Sequence, residues 1–188
     1  MIKFNVIQPE LKRVDVIKGN RLIFVPVNEE DAKFILDLRL SSKGTYLSKT
    51  ANDLFLQKKF ITKSISDHNQ QYFIIKNEEN ESIGTIRLYD PIDNSICWGS
   101  WIIKDGVRKS YSIESALILY NYAFYCGFYN AHIDVRKKNR SVISFHEKFG
   151  AKLIKETKED NYYQLEFYTI LQSMKKYEKF LPNGITIN

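Results

Sequence analysis

The sequence predicts a mixed α/β fold built as one domain over residues 1–188, and three observations carry that prediction. Apolar, β-branched segments are interleaved with segments of helical spacing, in the order strand, helices, three strands, helix, strand, helix, strands. The period changes sharply after Gly106, where Ile113, Ala116, Leu117, Tyr120, Ala123 and Phe124 recur at helical intervals, so one face of a long helix can pack on a sheet. Finally, 188 residues that are 44% hydrophobic and 27% charged suit a single core. A chain of this length buries roughly 70% of its unfolded surface, and its composition excludes the disordered, collagenous and low-complexity classes.

The elements follow in order. Residues 1–20 read as an N-terminal strand-rich extension, in which Phe4, Val6 and Ile7, then Val14, Val16 and Ile17, suggest short strands. Residues 21–27 form an opening strand, and Asn28 caps a helix over 29–40 whose Glu29, Glu30 and Asp31 sit at the positive end of its dipole. A loop at 44–50, a candidate substrate wall, leads to a second helix at 53–64. Residues 72–76 and 82–89, separated by the polar stretch 77–81, have the pattern of a hairpin, and 96–103 form the next strand. Gly127 ends the long helix, 131–136 is a strand, and Asn139 caps a helix carrying Val142, Ile143, His146 and Phe149 that Gly150 stops. Strands are expected at 152–155 and 162–168, then an amphipathic segment through Tyr177, and Pro182-Asn183-Gly184 reads as an end.

The net charge of +6 is unevenly distributed. Lys104, Arg108 and Lys109 form one cluster, and Arg136, Lys137, Lys138 and Arg140 another, both where a strand gives way to a helix. No basic tail, zinc finger or recognition helix accompanies them, which favours a compact anionic ligand over nucleic acid. Cys97 and Cys126 have neither metal-ligand spacing nor the density of a disulfide scaffold, and His68, His132 and His146 are dispersed, so no metal site is expected. No apolar run reaches the about 18–20 residues that span a bilayer, and the expectation is a cytoplasmic protein without membrane contact.

Between the strand at 96–103 and the long helix, the backbone amides of residues 103–112 can converge on a phosphate, with the helix dipole behind them. Ser110 and Ser112 offer hydroxyls there, and Arg108 and Lys109 offer charge, although an ordinary Ser/Lys turn has the same letters. The glycine spacing and Gly-Lys-Ser/Thr ending of a nucleotide-hydrolase phosphate loop are absent. With the cluster that begins at Arg136, two anion sites suit one nucleotide-like ligand carrying separated phosphates.

Residues 21–168 resemble the GNAT superfamily of acyl-CoA-dependent N-acyltransferases, whose order of elements they share. The family signature Q/R-x-x-G-x-G/A, which binds the CoA pyrophosphate, falls on Val107, Ser110 and Ser112, and all three depart from it. Residues 139–150 resemble the family segment N-x-x-A-x-x-x-Y-E-K-x-G, matching at Asn139, Glu147, Lys148 and Gly150. The resemblance implies a mostly antiparallel twisted sheet flanked by helices, and acetyl-CoA or a larger acyl-CoA as cofactor. It places Ile102, Ile103, Arg108, Lys109, Ser110, Tyr111, Ser112, Arg136, Asn139 and Lys148 against that cofactor.

At the position of the family tyrosine that protonates the departing thiolate stands His146. An imidazole serves as general acid when charged and as general base when neutral. Three roles stay open for it: protonating the thiolate, deprotonating the amine through water, or shaping the pocket. Arg39, near the end of the first helix, resembles the first-helix arginine of GNAT subgroups that modify amino sugars on nucleotide carriers, and Leu47, Ser48, Lys49 and Thr50 add to that likeness. The implied reaction moves an acyl group, acetyl by default, to the amine of a nucleotide-linked amino sugar by direct attack on the thioester. A backbone amide near Trp98 to Trp101 would polarise the carbonyl.

Asp134, Glu114 and His132 are candidates for removing the ammonium proton. Trp98 and Trp101 fall on opposite faces of their strand if its alternation is intact, one toward the core and one toward substrate. Cys97 lacks the adjacent His/Asp arrangement of a thiol nucleophile. Two further readings compete. A peptide or ribosomal-protein N-terminal acetyltransferase would need an acidic open groove, and a noncatalytic acyl-CoA-binding domain would turn His146 into the core. The 12 Tyr and 12 Phe also leave a homodimer contact open.

Overall fold

The computed structural model describes residues 8–188, so the strand suggested at Phe4, Val6 and Ile7 lies outside them. The chain runs β1 (Ile17–Lys18), β2 (Ile23–Pro26), α1 (Ala32–Leu40), α2 (Leu54–Ser66), β3 (Gln71–Lys76), β4 (Ser82–Ile92), β5 (Ser95–Ile103) and α3 (Ser110–Tyr125). It continues through β6 (Asn130–Arg136), α4 (Arg140–Lys148), β7 (Lys152–Glu156), β8 (Asp160–Leu165), α5 (Phe167–Lys176) and β9 (Thr186–Ile187). The strands form one sheet in the order β7-β8-β6-β5-β4-β3-β2-β1-β9, antiparallel throughout except for the parallel pair β5 and β6.

The two-residue alternation of β3 explains the layering, because its side chains feed two cores. Phe73 and Ile75 join the larger one, with Ala116, Leu117, Leu119 and Tyr120 of α3 and Ile170 of α5. Tyr72 and Ile74 face the other way, against Ala32 and Ile35 of α1 and Ile61 of α2. A strand buried on both faces reads as the continuous apolar run Tyr72 to Ile75. Leu11 and Ile17, from the expected extension, pack into the larger core.

Most expected boundaries shift by a residue or two, for visible reasons. Asn28 makes a full capping box with Asp31, but residues 29–31 form a 3₁₀ turn before the α-helix proper begins. Asp53 stands outside α2 as its cap, accepting from the amides of Phe55 and Leu56. Gly127 and Gly150 follow α3 and α4 with φ of +89° and +88°, the left-handed stop that glycine adopts without strain.

Three expectations are corrected. The strand placed at 162–168 ends at Leu165, and Phe167 and Tyr168 open α5 instead. Phe167 is held there by its amide donating to Asn130 Oδ1 at 2.9 Å and by its ring packing on Phe124 and Tyr129. The Pro182-Asn183-Gly184 turn is not an end, because β9 returns beyond it to pair with β1. Trp98 and Trp101 are not on opposite faces. The β4–β5 register jumps from Arg87↔Gly99 to Thr85↔Ile102, Ser100 takes a φ of +49°, and the resulting bulge brings the two indoles together at 5.5 Å between ring centroids.

Candidate active site

The site arises where two strands part. β5 and β6 pair only from Ser95↔Asn130 to Cys97↔His132, although β5 runs on to Ile103 and β6 to Arg136. Beyond Cys97 the β5 edge is therefore free of β6, and a cleft opens between them. Its deeper half is a cavity of about 340 Å³ lined by Trp98 to Trp101 of β5, Asp134 of β6, and Asn139, Val142 and His146 beside α4. A second cavity of about 310 Å³ continues over Ile102, Ile103 and Ser112, sharing Tyr46, Leu47, Trp101, Asn139 and Val142 with the first.

The loop expected as a substrate wall runs along the cleft. Tyr46, Leu47 and Ser48 line the cleft, and Arg39 holds the loop by donating from Nε to Thr50 Oγ1 at 2.6 Å and from Nη2 to Ser48 O and Oγ at 2.9 Å. Lys43 at its start bridges to Asp105 at 2.8 Å, on the turn that leads into α3. Arg39 and Lys49 also line a third cavity of about 220 Å³ on the α2 side.

His146 lines the deeper half yet is almost wholly buried, its ring 4.9 Å from that of Trp98 and its Nδ1 without a hydrogen-bond partner. Burial pushes its pKa down to about 3, so the ring is neutral at physiological pH. A ring this weakly basic is neither a charged proton donor to a thiolate nor a base for an ammonium proton at neutral pH, which leaves it the role of shaping the pocket.

The three candidates for the ammonium proton are not brought together. Asp134 lies at the rim of the deeper cavity, where loss of hydration, with Asp160 nearby, raises its pKa. Glu114 is buried elsewhere in α3, its Oε1 accepting from the amides of Arg21 at 2.6 Å and Leu22 at 2.9 Å, so it ties α3 to the start of β2 and does not line the cleft. His132 is outside it as well, with Nδ1 2.8 Å from Ser95 Oγ and Nε2 3.6 Å from Asp90. Cys97 is buried and its thiol is pushed up to about 12, which disarms it as a nucleophile at neutral pH.

On the cofactor side, Ile102, Ile103, Ser112 and Asn139 converge on the second cavity, and Asn139 also caps α4 by accepting from the amide of Val142. Ser110 starts α3, with the exposed Lys109 immediately before it. Tyr111 is corrected: its ring is buried, its hydroxyl donates to Glu78 at 2.8 Å, and its amide donates to Arg108 O, leaving nothing for a phosphate. The basic clusters are also less free than their letters suggest. Arg108 lies 3.6 Å from Glu78, and Arg136 bridges Glu159 at 2.8 Å and Asp160 at 2.9 Å, although it still lines the deeper cavity. Lys148 is exposed on the last turn of α4 and lines neither half of the cleft.

These residues fit an acyl-CoA. The unpaired β5 edge after Cys97 offers backbone groups along a cleft that ends at the start of a helix, the arrangement an extended arm with a terminal pyrophosphate requires. Arg87 and Tyr89, which belong to no motif in the sequence, also line the cleft from β4. A single charge inside the otherwise uncharged run Ile83 to Leu88 was the available signal.

A protein-family profile described as an acetyltransferase (GNAT) domain matches residues 21–152. A solved structure described as apo FdhC, a nucleotide-linked sugar GNAT, is 36% identical, with a TM-score of 0.76 over 87% of this chain and 97% of its own. A GCN5-related N-acetyltransferase from Brucella melitensis superposes with a TM-score of 0.77 at 14% identity, covering 95% of this chain and 91% of its own. The ribosomal L7/L12 alpha-N-protein acetyltransferase RimL does so with a TM-score of 0.69 at 16% identity, covering 82% and 96%. These last two likenesses are of fold alone. No curated protein sequence matches the chain.

Proposed function

Because this chain belongs to the GNAT acetyltransferase family and is an acyl-CoA-dependent N-acyltransferase, we propose that its acceptor is the amine of a nucleotide-linked amino sugar. The observation that carries this reading is the 36% identity, over 87% of the chain, to a structure described as a nucleotide-linked sugar GNAT. Arg39 supports it, because it braces the substrate wall and leaves a cationic group in the lining of two cavities. The acyl group is acetyl by default, and acyl-CoA supplies it as an activated thioester: the amine nitrogen bonds to the carbonyl carbon, the C–S bond breaks, and CoA leaves as its thiolate.

The chain's own residues then divide the work. The loop from Tyr46 to Ser48 and the β5 edge hold donor and acceptor in one cleft, which supplies proximity. A backbone amide of the bulged stretch Trp98 to Trp101 donates to the oxygen on which charge develops. Asp134 takes the ammonium proton, a role that its rim position and raised pKa support, since a base is most effective when its pKa approaches the working pH. His146 stays neutral and fixes Trp98.

Incubation of the purified protein with acetyl-CoA and a panel of amino-sugar nucleotides, amine peptides and polyamines, read by free thiol and product mass, tests this. Acylated amino-sugar nucleotide is the expected product. Acylation of a peptide alone would reject the reading.

A further inference from the structure

Arg87 projects from β4 between Tyr72 of β3 and Gly99 of β5, its partners in register, and Gly99 contributes no side chain to cover it. Its guanidinium carbon lies 4.3 Å from the ring centroid of Tyr89, 5.5 Å from that of Phe60 and 5.9 Å from that of Tyr72. Nη1 donates to Gln70 Oε1 at 3.0 Å, while Nε is buried without a hydrogen-bond partner. Such a setting fixes the plane of the guanidinium and leaves donor capacity unused.

Arg39 is the second cation. Burial lowers its pKa, and the charge of Arg87 lowers it further, so the two feel each other. Among the described residues neither makes a salt bridge to a carboxylate. Both line the deeper cavity and also the one on the α2 side, where Lys49 and Gln57 join them, and Gln57 Nε2 is likewise buried without a partner. Two like charges side by side in a half-enclosed site repel each other and lose hydration. An anion with two negative centres removes both costs, and the guanidinium fork matches phosphate oxygens in pairs.

We propose that Arg87, acting with Arg39, determines acceptor specificity by clamping a diphosphate in the α2-side cavity, with Lys49 and Gln57 as further donors. The acceptor amine then reaches past Ser100 toward Asp134. This rests on the reading of the acceptor as nucleotide-linked and adds to it the residue that selects the anion. The same phosphate chemistry is present in CoA, so the test must separate the two sources.

The test is calorimetric titration of the full-length protein, saturated with CoA, with inorganic pyrophosphate, UDP and dTDP. Saturation fills the cofactor turn and leaves the acceptor site. The wild type is expected to bind pyrophosphate and at least one of the nucleotides. Arg87→Met should weaken that binding about tenfold or more, the loss expected for a charge-assisted pair of hydrogen bonds, with CoA affinity kept within about twofold. Arg87→Lys, which keeps the charge but not the fork, should lose part of it, and it carries the comparison if Arg87→Met no longer binds CoA.

Wild-type affinity in the variant that still binds CoA would overturn the proposal, as would a wild type that binds none of the three anions once CoA is in place. The reading beneath it fails separately. Arg87-dependent anion binding without acylation of any amino-sugar nucleotide would sink the substrate assignment and leave the anion site standing. Acylation with an unchanged KM in Arg87→Met would do the reverse.

Discussion

The imidazole of His146 meets the indole of Trp98 edge-on, with ring centroids 4.9 Å apart, and its Nδ1 is buried with no hydrogen-bond partner. A proton on that ring would be almost wholly desolvated, which is why the folded pKa falls to about 3. In the unfolded chain the same group titrates near its ordinary value of about 6.5. The unfolded state therefore binds a proton that the folded state refuses, and this contribution to stability is intact above about pH 6.5 and is lost as the pH falls toward 3. The loss approaches roughly 1.4 kcal/mol per pH unit. Urea unfolding at pH 7 and pH 5 should show the wild type losing about 2 kcal/mol more than His146→Phe, which keeps the ring contact without the titration. Equal losses would mean that the imidazole is not desolvated.

Asp134 is expected to behave as a catalytic base. Asp134→Asn should lower kcat by about 10²–10⁴-fold with little change in the KM for acyl-CoA. Since the carboxylate must be ionised to accept a proton and its pKa is raised, the acidic limb of the wild-type rate profile should lie above the ordinary carboxylate range. Activity falls as the pH drops through that limb. An Asn variant that turns over at the wild-type rate would rule Asp134 out as the base and pass the role to water.

Much of this was legible in the letters, and what was missed has physical causes. Period changes located α3 and α4, and the glycines after them marked their ends, because helix spacing and left-handed stops are local properties. The family likeness placed Asn139 and His146 at the cleft, and Arg39 at its wall. Nothing local reveals that Glu78 in the β3–β4 turn would claim both Arg108 and Tyr111, since that contact joins residues 30 or more positions apart. Glu114 and Asp134 were indistinguishable as letters. Only the tertiary packing turned one toward two backbone amides and left the other at the rim of the cleft.

Glu114 is accordingly predicted to matter for stability and not for turnover. Glu114→Ala leaves the amides of Arg21 and Leu22 without their acceptor and should cost about 1–3 kcal/mol in chemical denaturation. The rate per folded molecule should stay at the wild-type level. A variant as stable as the wild type but inactive would restore Glu114 to the list of bases.

The bulge that gathers the two tryptophans offers a test with opposite signs at neighbouring positions. Thr85, fully buried, donates from Oγ1 to the carbonyl of Ser100 at 2.8 Å and so pins the backbone where its φ is +49°. Thr85→Val keeps the side-chain shape, strands that carbonyl and should destabilise by about 1–3 kcal/mol. With the pin gone, Trp101 is free to move relative to Trp98, so tryptophan emission should shift and acyl-CoA should bind more weakly. Ser100→Gly acts on the same turn from the other side. Glycine carries no Cβ to oppose a positive φ, and the substitution should be neutral or stabilise by up to about 1 kcal/mol. If both variants lose stability alike, the Ser100 side chain rather than its backbone holds the bulge, and the indole pair owes its geometry to contacts on α4, where Phe145 lies 4.7 Å from Trp101 and His146 4.9 Å from Trp98.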